Sequence, residues 1–95
     1  MAAVLPGERQ LRLVIQSVPA RGRASTQYRV VVYPEPMDFH GPLIFFSREE
    51  LLTRLSSAMP EFDVNLVREP GGEARIVFAG MVNMTDAQFS RLCGV

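Results

Sequence analysis

The chain's only histidine lies in Asp38-Phe39-His40, two residues from a carboxylate. Imidazole titrates near neutral pH and can give or take a proton, and a nearby carboxylate can fix its tautomer. Side chains two apart in irregular backbone diverge, however, and no nucleophile or second acid is linked to this pair by a motif. Asp38 and His40 are therefore expected to be a loop pair. Small-molecule binding or catalysis at the loop around His40 is the last of three functional readings. One histidine and one distant cysteine are too few for a closed zinc site. Cys93, the single cysteine, falls at the end of a predicted helix, where the dipole raises a thiol pKa and disfavours a nucleophile. Ser47 and Thr85 sit at predicted helix starts, so their hydroxyls are expected to cap backbone N–H groups. No catalytic set, metal site or cofactor is expected.

Arg21-Gly22-Arg23 is a small basic loop that can hold an anion through guanidinium and backbone N–H groups. It has no phosphate-loop pattern and opens no helix, so an exposed charged turn is the plainer reading. All ten basic residues are Arg, and ten acidic residues balance them. Zero net charge argues against a general nucleic-acid binder.

The elements that must position these residues can be read from periodicity. At 95 residues and 47% hydrophobic, the chain is expected to form one domain over 1–95, with 1–9 a flexible lead-in. Pro6, Gly7 and Glu8 stand where a secretory signal needs an apolar core, and no apolar run approaches the ~20 residues of a membrane span. With one cysteine, no intrachain disulfide can form, and a cytoplasmic location is expected.

Gln10–Val18 and Gln27–Tyr33 alternate as strands and form a hairpin around the loop holding Arg21 and Arg23. Pro34 and Pro36 end the second strand. Leu43–Phe46 is a short strand or an apolar approach to the helix that follows. That helix runs from Arg48 to Met59 and stops at Pro60. Ser47 and Glu50 have capping-box spacing, and Phe46 and Leu51 the spacing of a hydrophobic staple. Phe62–Arg68 and Ala74–Gly80 read as a second hairpin around Gly71-Gly72, and Met81–Met84 as an apolar connection. A second helix from Asp86 to Cys93 follows, with Thr85 and Gln88 as its box, Met84 and Phe89 as its staple, and Gly94 at C′.

The expected fold is α+β, a two-layer sandwich. An antiparallel sheet of four, possibly five, strands carries two helices on one face, in the order β-β-(β)-α-β-β-α. The predicted core is Leu11, Leu13, Ile15, Tyr28, Val30, Val32, Leu51, Leu55, Phe62, Val64, Leu66, Ile76, Phe78, Phe89 and Leu92. The opposite face then carries Val14, Val31, Tyr33, Val67 and Val77, mixed with Arg12, Arg29 and Arg75. A solvated face alternates more cleanly to polar residues, so these apolar positions are candidate interface residues. The first reading is thus a non-enzymatic interaction module, self-associating as a homodimer through the uncovered face or an edge strand. The second is a single-stranded nucleic-acid binder in which Arg12, Arg21, Arg23, Arg29 and Arg75 contact anions and Tyr33 stacks.

Overall fold

A computed structural model describes residues 7–19, 26–35, 39 and 41–94. Four strands form one sheet: β1 (Glu8–Pro19), β2 (Thr26–Tyr33), β3 (Leu43–Phe45) and β4 (Arg75–Thr85). Their order is β3-β2-β1-β4, and every neighbouring pair is antiparallel. Two helices, α1 (Arg48–Ala58) and α2 (Asp86–Cys93), complete an α+β domain. Glu8 and Arg9 are registered with Thr85 and Met84, so the sheet begins inside the expected lead-in.

Strict alternation decides which side of the sheet is closed. Leu11, Leu13 and Ile15 of β1 and Tyr28, Val30 and Val32 of β2 are buried on one face. They form one cluster with Leu51, Leu55 and Ala58 of α1 and Leu92 of α2. Removing each Leu, Ile or Val from water is worth roughly 1.5–3 kcal/mol, so this layer dominates the stability of a small domain. Gly80 lies opposite Leu13 on the same face, and a Cβ there would stand 3.0 Å from the Phe78 ring.

The helix boundaries follow their caps. Ser47 Oγ accepts the Glu50 N–H at 3.0 Å. Phe46, the outer member of the expected staple, is 63% exposed, while Leu51 is buried. The box at α2 is complete: Thr85 Oγ1 accepts from Gln88 N at 3.1 Å, and Gln88 Oε1 accepts from Thr85 N at 2.8 Å. Gly94 ends α2 at φ 84, a left-handed conformation open to glycine, and a Cβ there would also meet Arg54.

The second expected hairpin is replaced by something else. Asp63 Oδ1 accepts the Asn65 N–H and caps a 3-10 turn over Val64–Leu66. This turn breaks the alternation of 62–68, leaving Leu66 exposed and Val67 buried. The segment then lies beside β4 through one backbone bond, from Arg68 N to Val77 O at 2.8 Å. In turn, β4 runs through Met81–Met84 to Thr85, where a connection was expected.

Candidate functional site

The face of the sheet away from the helices is built by the other half of the alternation. Across β1 and β2, Arg12 is registered with Tyr33, Val14 with Val31, and Gln16 with Arg29. On β3, Ile44 is registered with Arg29 and extends the same face. On β4, Met81 is registered with Arg12 and Ala79 with Val14, while Asn83 meets Gln10. Tyr33, Ile44, Ile76 and Met81 are large hydrophobic side chains left exposed. Val14, Gln16, Arg29, Val31, Tyr33, Pro42 and Ile76 line a shallow depression of about 260 Å³. That is below the ~300–1,000 Å³ of enclosing small-molecule pockets, so the face suits a broad contact better than a buried ligand.

A bulge in β4 explains which residues reach this face. Ile15 pairs with Phe78 and Gln16 with Ile76, so Val77 is an extra residue between two partners. Val77 turns into the core, where it is 1% exposed, and Ile76 turns out, where it is 54% exposed. A uniform period of two through this strand predicts the reverse. The candidate interface is corrected accordingly. Val14, Val31 and Tyr33 lie on the open face, but Val67 and Val77 are core residues, and the expected core residues Leu66 and Ile76 are exposed. Ile44, Ile76 and Met81 are the members that the sequence reading missed.

The candidate anion contacts also separate. Arg12 and Arg29 share the open face. Arg75 does not: it is registered with buried Ser17, and its guanidinium donates to the Glu69 carbonyl. Arg21, Arg23, Asp38 and His40 lie outside the described residues.

The two edges of the sheet are guarded unequally. The β3 edge is three residues long. The β4 edge belongs to a strand of eleven residues with no proline and no charge from Ile76 to Thr85. Its first part is covered by the segment 66–69, which Arg48 of α1 holds from the other side. Arg48 donates to the Val67 carbonyl at 2.8 Å and the Arg68 carbonyl at 2.9 Å, and it meets Glu69 Oε1 at 3.6 Å. From Ala79 onward, no strand among the described residues pairs with the outer edge of β4.

The helix side offers little chemistry. Arg54 ties the two helices together, donating to the Leu92 carbonyl at 3.2 Å and lying over the Phe45 ring at 5.4 Å. Burial pushes the Cys93 thiol above its ordinary pKa, and the nearby Arg54 charge only partly opposes this. A raised thiol is a poor nucleophile near neutral pH. The described residues contain no group of three or more His, Cys, Asp and Glu side chains placed to hold a metal. No helix among them is long and apolar enough to cross a membrane.

No known family model matches this chain, and neither a curated protein nor a solved structure is significantly similar to it.

Proposed function

We propose that this domain is a non-enzymatic interaction module that associates with a second copy of itself through the open sheet face or the outer edge of β4, which together form one strip. The observation that carries this reading is the continuity of the strip. Ile76, Ala79 and Met81 run along an edge strand and merge with Val14, Val31 and Tyr33 across the sheet. Tyrosine and arginine among aliphatic side chains is the composition of the energetically dominant part of protein interfaces. Zero net charge adds no long-range repulsion between copies. A single cysteine, which leaves no intrachain disulfide to form, is in keeping with a reducing compartment, and we assign the module to the cytoplasm.

The nucleic-acid reading draws less support. Among the described residues, Arg12, Arg29 and Tyr33 are the candidates on the open face, and stacking of several bases needs more than one aromatic ring. Sedimentation equilibrium of the full chain across a wide concentration range tests the proposal. It expects a reversible monomer–dimer equilibrium. A single monomeric species at the highest concentrations, or binding of single-stranded RNA at low salt without self-association, would overturn it.

A further inference from the structure

Resting on that self-association, we infer its geometry: two copies join through the outer edges of β4, antiparallel, with the two-fold axis at Met81. The backbone directions follow from the bulge. Val77 turns its carbonyl away from β1, toward the Arg68 N–H. Phe78 pairs back with Ile15, and successive residues then alternate. Ala79, Met81 and Asn83 therefore direct their N–H and C=O groups outward, where only another extended chain satisfies them in a regular way.

No strand among the described residues pairs with this edge. Phe89 lies 5.5 Å from the Phe39 ring, and the Leu92 carbonyl is held by Arg54, which itself lies over Phe45 of β3. The helix packs against α1 and against β4 on the closed side of the sheet. Nothing in Ala79-Gly80-Met81-Val82-Asn83-Met84 opposes pairing: the stretch holds no charge and no proline.

Charge selects both the occupant and the register. Stacking two open faces directly would enclose Arg12 and Arg29 of both copies in one contact, at the cost of desolvating their charges. Edge pairing keeps them apart. Arg12 is on β1, so it is separated from its counterpart by both copies of β4, roughly 14 Å at ~4.8 Å per strand. With Met81 opposite Met81, Ala79 stands opposite Asn83 of the second copy. Thr85 of the second copy would stand opposite Val77, where the segment around Arg68 lies, so that copy's chain must leave the ladder after Met84 and pairing is confined to Ala79–Asn83. The ladder ends there, and exposed Arg68 comes beside Asp86 of the second copy, whose side chain is 83% exposed and also meets Arg9 of its own chain at 3.4 Å. The two-fold axis makes this complementary contact twice. The result is one continuous sheet with both open faces on one side.

Three variants in the full chain test the geometry. Met81→Pro removes only an outward N–H, a change that edge strands tolerate. It is expected to weaken the dimer at least about tenfold while retaining the circular dichroism spectrum. Val31→Arg, two strands away, is expected to leave the dimer constant within about twofold. Met81→Cys in a Cys93→Ser background is expected to cross-link rapidly with a short bis-maleimide, because directly opposed residues have Cα atoms ~5.5 Å apart. Val31→Cys in the same background is expected not to. This second readout decides the matter if Met81→Pro does not fold. A dimer lost in Val31→Arg, or cross-linked through Val31→Cys and not through Met81→Cys, would overturn the edge geometry and leave the self-association reading in place. A wild-type chain that stays monomeric would overturn both.

Discussion

The two halves of β4 differ more than any two strands of the sheet. Both are charge-free past Arg75, and both lie at the same edge. The first half is bulged at Val77, bonded to Arg68, and covered by a segment that Arg48 grips through two backbone carbonyls. The second half, from Ala79 to Met84, has no such cover among the described residues. A sheet edge is an association hazard unless it is short, charged, bulged or covered. Here one half of one strand receives two of these protections and the other half receives none. The difference locates where a partner strand can add, and it also limits how far the added strand extends.

The sharpest way to test this contrast is to put the same charge in each half. Val77→Asp buries a carboxylate with no cationic partner and is expected to destabilise the domain by about 3–5 kcal/mol, close to the whole stability of a small domain. Met81→Asp places the charge in water and is expected to change stability by less than about 1 kcal/mol while weakening the dimer. Chemical denaturation of both variants checks the pair; equal losses would mean that the bulge does not separate a core position from a surface one. Next in size is the grip itself. Arg48→Ala leaves the Val67 carbonyl without its donor in a partly buried place and is expected to lose about 1–3 kcal/mol. It should also release the segment 66–69 and accelerate hydrogen exchange at the Arg68 amide. Unchanged exchange there would show that the segment does not depend on Arg48.

The smallest effect is at Cys93, at the end of α2. Its thiol is held above its ordinary pKa by burial. Alkylation at pH 8 is therefore expected to be slower than for a cysteine in an unfolded peptide. The raised pKa contributes stability that is fully present below the unfolded thiol's pKa, and it is lost as pH rises through the folded value. A rate equal to the peptide's would contradict this.

Much of this architecture was readable because the signals were local. Ser47, Thr85, Gln88 and Gly94 set the helix ends by bonds within a few residues of themselves. The alternation of Leu11, Leu13 and Ile15 against Arg12 and Val14 set the faces of β1 by period alone. What failed depended on partners distant in sequence. Residues 62–68 alternate convincingly, yet the Asp63 cap and the Arg48 grip favour a 3-10 turn. Nothing between Arg75 and Thr85 marks Val77 as the extra residue, because a bulge is a mismatch between two strands and only their pairing reveals it. That single residue exchanged Ile76 and Val77 between core and surface. It therefore changed the candidate site more than any other feature did.

The most direct test of the contact surface is a dilution series of amide NMR spectra of the full chain. The account predicts that concentration-dependent shifts are largest from Ala79 to Met84, extend to Arg68 and Asp86, and spare the buried amides of Leu51 and Leu55. Shifts centred on α1 and α2, or spectra identical at every concentration, would contradict it.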